Sequence, residues 1–271
     1  GIAIPVAVVG LYLVLLRQWQ WLKRLEVVRG LALFFLVAAA YASVGLGGGS
    51  SYTALLAIFG FGTAVIPMIS LTLNLLVTSV ASYNFMRRGH ASTRLIAPFL
   101  LASIPMAYLG GAMQLPRAVF YWLLLLCLCF VAARIYFWKE TAFRLPVGST
   151  GKLLISVLVG AVLGLVAGIV GIGGGIFLVP LIIILGLGTG KQAAACGAIF
   201  VWLNSLAGLA ARLQFHAVDW LDFMPLYIAV MLGGALGSFM GSSRLSSGTI
   251  EKLLGVIVVV AIITLLSQLS L

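Results

Sequence analysis

The chain is organised as a series of apolar runs, most of them long enough to cross a membrane, separated by short polar or basic segments. A helix needs about 20 apolar residues to cross the hydrocarbon core, where only helices and closed barrels satisfy all of their backbone groups. Hydrophobic residues make up 63% of the chain and charged residues 8%, against about 25% charged in a soluble domain. The pattern therefore predicts an all-α integral membrane protein.

Basic residues outnumber acidic residues, with 16 Lys and Arg against five Asp and Glu and a formal net charge of +11. These cations lie scattered at the ends of apolar runs. That distribution is typical of the positive-inside rule and not of a nucleic-acid-binding surface. We therefore expect a multi-pass protein in contact with the lipid bilayer and without a nucleic-acid partner.

The sequence contains an internal duplication. Residues 44–63 align with residues 170–189 without a gap, and half of the aligned positions are identical. We expect two repeats of about four transmembrane helices, each opening with a glycine-broken helix, plus one leading span. The predicted boundaries are a leading transmembrane segment with an amphipathic basic connector (1–29), a first repeat (30–138), a cytoplasmic linker (139–152) and a second repeat (153–271).

Two orientations of the repeats are open. If each glycine-broken segment crosses the membrane once, the loops that hold Arg87, Arg94 and Arg212 share one side with most other basic residues, and the halves are parallel. If the broken segments enter and return, the halves are inverted. The charge distribution favours the parallel arrangement.

Glycine clusters at residues 45–49 and 171–175 have the same pattern, Gly-x-Gly-Gly-Gly. Consecutive glycines disfavour a continuous helix by about 1 kcal/mol each, and a broken helix at membrane depth needs partners for its freed backbone groups. The half-helix that follows presents unpaired amides and a positive dipole end, which suit an anion. The alternative is that the glycines only allow close helix packing, which is the better explanation for Gly160, Gly164 and Gly168.

Polar side chains within the following spans form a second group of candidates. Asn204 and Ser205 fall at the repeat positions of Thr78 and Ser79. Polar groups at membrane depth need a partner on another helix or on a substrate. The candidate substrate-binding residues are Gly47, Gly48, Gly49, Ser50, Ser51, Thr78, Ser79, Gly173, Gly174, Gly175, Ile176, Asn204 and Ser205.

The glycine-rich segment 186–192 superficially resembles a phosphate-binding loop. It lacks the required first glycine and ends in glutamine where a Ser or Thr is needed. Thr189 and Gln192 instead have the spacing of a helix capping box. We therefore predict a helix start there and no nucleotide site.

Groups that could support catalysis or cation coupling are sparse. No acidic residue falls inside a predicted span, so proton or sodium coupling lacks an obvious side-chain carrier. His90 and His216 occupy equivalent positions at span ends and are candidates for pH sensing, although interface histidines are commonly just solvated. No nucleophile cluster, acid–base pair or metal-ligand set is present, and the three cysteines have no metal-site spacing. We predict a protein that is not an enzyme and has no cofactor or metal.

These motifs together resemble the sulfite exporter TauE/SafE family, also called the toluene sulfonate uptake permease family. The resemblance rests on two Gly-x-Gly-Gly-Gly breaks, each followed by an apolar half-helix, a Gly-x-Gly-Thr turn and a polar span. It implies transport of small sulfur-containing anions, such as sulfite, thiosulfate or sulfonates, across the bacterial inner membrane. Carried over, the binding elements would be glycines 47–49 and 173–175. The copies differ where Ser50 and Ser51 align with Ile176 and Phe177.

The leading prediction is a secondary transporter, most simply a sulfite exporter, in which two half-helix N-termini bind an oxyanion near the membrane midplane. Two alternatives are an importer of organosulfonates or other small organic anions, and an accessory subunit of a membrane complex. The Gly-x-x-x-Gly faces also allow a homodimer.

Overall fold

The part of the chain that the structure describes consists mainly of helices. The computed structural model describes residues 25–137, 149–185, 187–215 and 217–241, with residues 259, 262, 263 and 266. The helices in these ranges are α1 (Leu25–Ser43), α2 (Gly49–Ile58), α3 (Val65–Arg87), α4 (Thr93–Ala112), α5 (Arg117–Phe137), α6 (Ser149–Val170), α7 (Gly175–Ile184), α8 (Gly190–Arg212), a 3-10 turn (Trp220–Phe223) and α9 (Met224–Gly241). The predicted all-α membrane protein is confirmed.

Membrane-spanning length is reached by five helices of the described ranges. They are Val65–Arg87, Thr93–Ala112, Gly151–Val170, Gly190–Arg212 and Trp220–Met240. The parts Gly30–Ser43 and Ala118–Phe130 are apolar but shorter. Outside the described residues lie the predicted leading span, most of the linker, His216 and most of the last predicted span.

The start of α8 is fixed by the predicted capping box. The amide of Thr189 donates to the side-chain oxygen of Gln192 at 2.9 Å, and the amide of Gln192 donates to the Thr189 hydroxyl at 3.3 Å. Two amides that the helix cannot satisfy are thereby paired. The capping-box prediction is confirmed.

Glycines of α6 allow it to pack closely on α4. The contacts run in step along the pair, with Gly160 against Phe99, Gly164 against Ser103 and Gly168 against Ala107. A Cβ at any of the three glycines would collide with the facing carbonyl oxygen. The predicted packing role of these glycines is confirmed, and the matching order means that α4 and α6 run in the same direction.

Helices α3 and α8 lie at the centre of the bundle and run in opposite directions. Their apolar windows are 67% and 72% buried, against 33% in α4. The contacts along the pair are Leu71 with Gly208, Ser79 with Trp202 and Phe85 with Ala194. Because α3 and α8 are the equivalent spans of the predicted repeats, parallel copies would require them to share a direction. The parallel arrangement favoured by the charges is therefore wrong, and the inverted alternative agrees with the helix directions.

The glycine break between α6 and α7 is the turn of a hairpin that enters the protein and returns. Gly188, just before α8, faces Leu95 near the start of α4, and Gly208 faces Gly111 near the end of α4. Helices α4, α6 and α8 therefore run in the same direction. Since α6 and α8 share a direction, α7 between them brings the chain back.

The break between α1 and α2 has the same course. The contacts that define it are Gly233 with Phe35, Gly237 with Ala39, Gly234 with Val77 and Ser238 with Asn84. Helix α9 thus runs parallel to both α1 and α3, so α2 returns between them.

The bundle has two ends, which we name after an arginine at each. At the Arg87 end, α3 ends and α4 and α8 begin. The opposite end is the Arg212 end. Arg212 therefore lies opposite Arg87, contrary to the single-crossing arrangement.

Candidate functional site

The two glycine breaks touch each other near the middle of the bundle. A Cβ on Gly49 would collide with the carbonyl oxygen of Ile172. Gly48 has φ 91°, and Gly173 and Gly174 have φ 79° and 77°. These left-handed values favour glycine because other residues incur a steric cost there. The glycines thus break the helices and also allow the two breaks to approach closely.

The half-helices α2 and α7 leave this contact toward opposite ends of the bundle. Phe61, just after α2, has its ring 5.6 Å from that of Phe223, which precedes α9 at the Arg212 end. Gly188, just after α7, faces Leu95 at the Arg87 end. The N-terminal ends of both half-helices consequently face the same central region. Both positive dipole ends are directed there.

Backbone amides at these two N-termini have no acceptor within their own helices. The first amides that donate inside α2 and α7 are those of Ser51 and Phe177, to the carbonyls of Gly48 and Gly174 at 3.1 and 3.2 Å. The amides that precede them belong to the unsatisfied group that every helix start leaves. The predicted glycine positions therefore supply donors from two directions to one place.

Asn74 of α3 lies between the two breaks. A Cβ on Gly47 would be 2.5 Å from the Asn74 side-chain oxygen, and one on Gly173 would be 2.9 Å from its nitrogen. The nitrogen donates a long 3.4 Å hydrogen bond to the carbonyl of Gly171. The side-chain oxygen is buried and has no hydrogen-bond partner. An amide in this position has hydrogen-bonding capacity left for a ligand.

Ser205 of α8 approaches the second break from the other side. Its hydroxyl oxygen would be 3.3 Å from a Cβ on Gly173, is buried and has no partner. The neighbouring Asn204 donates its amide nitrogen to the carbonyl of Phe200 at 2.8 Å, while its side-chain oxygen is unpartnered. Of these two predicted residues, Ser205 is the one in contact with a glycine break.

Thr78 and Ser79 differ in their surroundings. Thr78 is fully buried and donates its hydroxyl to the carbonyl of Asn74 at 2.6 Å. Ser79 lies on the exposed side of α3, where it accepts a hydrogen bond from the Trp202 indole at 2.8 Å. The Thr78 hydroxyl is therefore paired within α3, one turn after Asn74, and Ser79 faces away from the buried side of α3.

The first-turn residues of the half-helices are buried. The hydroxyl oxygens of Ser50 and Ser51 lie 2.8 and 3.0 Å from the hydroxyl of Tyr41 on α1. Ile176, in the first turn of α7, is 5% exposed and has an apolar side chain. Any polar contribution of Ile176 to a site must therefore come from its backbone.

The histidine pair is separated from the centre. His90 is partly exposed at the Arg87 end, with its ring 6.4 Å from that of Phe85. His216 lies outside the described residues. Among the described residues, no group of three or more His, Cys, Asp or Glu side chains could hold a metal ion.

Asn74 and Ser70 contact the glycine breaks but are not among the candidates predicted from the sequence, although a signal was present. Ser70, Asn74, Thr78 and Ser82 are spaced four residues apart, and all four are buried. Residues at that spacing lie on one face of a helix. The sequence therefore contains a polar stripe on one face of an otherwise apolar span.

Comparison with known proteins identifies relatives over most of the chain. Residues 30–265 match the family model described as sulfite exporter TauE/SafE. A probable membrane transporter protein of Sinorhizobium fredii, y4hK, is 36% identical over 242 residues, which cover 88% of this chain and 97% of that protein. A probable membrane transporter protein of Bacillus subtilis, YunE, is 27% identical over 105 residues, covering 39% and 38%. No solved structure matches.

Proposed function

Because the chain belongs to the sulfite exporter TauE/SafE family, we propose that it transports a small sulfur-containing oxyanion, most simply sulfite, across a bacterial inner membrane. The chain is a multi-pass membrane transporter protein by its family and its apolar helices. The substrate, its binding site and its route are the proposed parts. No catalytic step is involved, since the anion leaves unchanged.

The binding site that we propose lies where the two half-helix N-termini meet. The observation that carries it is the convergence of both glycine breaks on Asn74. Backbone amides from two directions, and the side chains of Asn74 and Ser205, offer hydrogen bonds to the oxygens of a small anion. Each hydrogen bond to a charged group contributes about 1.5–3 kcal/mol, so several are needed to offset the loss of water around the anion.

Inverted helix directions support a mechanism of alternating access. The half-helix α2 runs from the site to the Arg212 end, and α7 runs from the site to the Arg87 end. Rocking of the two halves around the central contact would open the site first to one end and then to the other. The anion gradient then sets the direction of net movement, and export follows when sulfite is more concentrated inside.

Basic residues support an orientation with the Arg87 end in the cytoplasm. Among the described residues, the basic residues at that end include Arg87, Arg88, Arg94, Lys152 and Lys191. The positive-inside rule places such a group on the cytoplasmic side. The proposed exporter therefore loads at the Arg87 end and releases at the Arg212 end.

Sulfite flux into proteoliposomes that contain the purified full chain tests the proposal. We expect saturable flux that thiosulfate reduces and acetate does not. Ser205→Ala removes an unpartnered hydroxyl at the site and should lower the flux several-fold. Ser103→Ala is the matched control, because the Ser103 hydroxyl is also buried and unpartnered but belongs to α4, where the Ser103 backbone packs on Gly164. Folded protein without sulfite flux would contradict the proposed substrate and favour an importer of other anions or an accessory subunit.

A further inference from the structure

A partly open cavity lies at the Arg212 end of the bundle. It has a volume of about 170 Å³. Its lining includes Thr63, Gly111, Gln114, Phe120, Ile169 and Arg212. A water molecule occupies about 30 Å³ of liquid. The cavity is therefore large enough for a small oxyanion with some of its water.

The guanidinium of Arg212 gives this cavity a buried positive charge. Arg212 is only 6% exposed. Its terminal nitrogen donates to the carbonyls of Gly168 and Ile169 at 2.9 and 2.5 Å, while Nε is buried without a partner. Both recorded partners are neutral, and no described carboxylate pairs with this side chain. A buried charge without a counter-ion is costly, so a ligand of opposite charge would be favoured beside it.

Two helix starts add to the positive character of the cavity. Ala64, the residue before α3, and Phe120, in the first turn of α5, both line it. The amide of Phe120 is already bound to the carbonyl of Pro116, and those of Val65 and Ile66 to the carbonyl of Gly62, each at 3.0 Å. These helix starts therefore contribute through the positive end of the helix dipole. The carbonyls at the end of α6, which would oppose an anion, are already bound by Arg212.

The cavity also lies in line with the proposed central site. Arg212 follows Ser205 by two turns of α8, which is about 10 Å along the helix axis. Ile169, which lines the cavity, lies three residues before Ile172 of the second glycine break. An anion in the cavity would thus be between the central site and the Arg212 end of the bundle.

We propose that the Arg212 cavity is a second anion site, which holds a small oxyanion on its way between the central site and the Arg212 end. This inference rests on the proposed anion transport and adds a residue that recognises the anion by charge. Arg212 binds the anion through the charge of its guanidinium, whose hydrogen bonds to the protein use Nη2 alone. Gln114, in the segment that follows α4, adds a second polar residue to the lining of the cavity.

The test compares four variants of the full chain. Arg212→Gln removes the charge, Arg212→Lys keeps the charge without the planar guanidinium, and Gln114→Glu adds an opposing charge while Arg212 stays. Arg94→Gln is the control, because Arg94 is exposed at the Arg87 end. The readouts are the KM for sulfite in proteoliposomes and equilibrium binding of radiolabelled sulfite to the purified protein in detergent.

We expect Arg212→Gln to raise the KM about tenfold, Arg212→Lys to raise it less, and Gln114→Glu to raise it several-fold. Arg94→Gln should stay near the unmodified value. If Arg212→Gln does not fold because the α6 carbonyls lose their partner, Gln114→Glu decides. Sulfite binding and KM unchanged in Gln114→Glu, with normal flux in the unmodified protein, would overturn the second site. Loss of flux in the unmodified protein would instead contradict the proposed function, and the binding comparison would still test the cavity.

Discussion

The hydroxyl of Ser70 donates to the carbonyl of Gly171 at 2.8 Å, across 101 residues of chain. The same hydroxyl oxygen is 3.2 Å from the carbonyl of Gly49. One serine of α3 thus contacts a carbonyl from each of the two glycine breaks. Because the carbonyls at a helix end lack donors from their own helix, the bond to Gly171, just after α6, stabilises the contact on which the proposed site depends.

Ser70→Ala should destabilise the protein by about 1–2 kcal/mol, because the buried Gly171 carbonyl loses its hydroxyl donor and the nearby Gly49 carbonyl loses a polar contact. Thermal unfolding in detergent measures the loss. Ser103→Ala, which removes a buried hydroxyl without a partner, is the control and should leave the midpoint nearly unchanged. Equal midpoints for the two variants would contradict the bridging role of Ser70.

Gly48→Ala should lower both stability and sulfite flux more than Gly60→Ala. Both glycines have positive φ, 91° and 78°, so each substitution carries the same backbone cost of about 1 kcal/mol. A Cβ at Gly48 would additionally lie 2.8 Å from the ring of Tyr52, whereas nothing lies within 4 Å at Gly60. Unfolding midpoints and flux of the two variants separate the packing effect from the backbone effect, and identical losses would show that the break is not tightly packed.

Gly164→Ala should reduce the yield of folded protein, because the added Cβ would collide with the Ser103 carbonyl on α4. Gly190→Ala, in the first turn of α8, has open space around the new Cβ and should be neutral or stabilising. The fraction of monodisperse protein after purification measures the difference. A well-folded Gly164→Ala protein would mean that α4 and α6 separate at little cost.

Helix directions predict that Arg88 and Leu213 face opposite sides of the membrane. Cysteines introduced by Arg88→Cys and Leu213→Cys, each in a background without the three native cysteines, can be labelled with an impermeant maleimide in whole cells. We expect Leu213→Cys to react and Arg88→Cys to react only after the cells are opened. Labelling of both positions from one side would restore the parallel arrangement.

The sequence was sufficient to predict the membrane class, the helix breaks and the packing role of the α6 glycines, because apolar length and glycine pattern have direct structural consequences. It did not reveal the hairpins, since a 10-residue apolar half-helix such as α7 reads the same whether it crosses or returns. The distribution of basic residues then favoured the parallel orientation of the two repeats, which the helix directions contradict. The sequence pattern predicts Arg212 to be a loop cation, whereas in the structure it is buried and its guanidinium binds the carbonyls at the end of α6.

The sequence predicts the candidate site only in part. The glycines could be identified because they must break the helix, but the facing of individual side chains depends on how α3 and α8 cross. That geometry brings Ser205 to a glycine break and turns Ser79 away, although the two occupy equivalent positions in the sequence. Asn74 has phenylalanine, Phe200, at the matching position of the second repeat, so the duplication did not indicate it.

The central claim is that an oxyanion binds where the two half-helix N-termini meet. The most direct measurement is anomalous diffraction from crystals of the protein grown with selenite, a heavier analogue of sulfite. We predict an anomalous peak within about 3.5 Å of the amides at residues 48–50 and 174–176, beside Asn74. An empty central region in a protein that transports sulfite, with selenite bound elsewhere, would contradict the account.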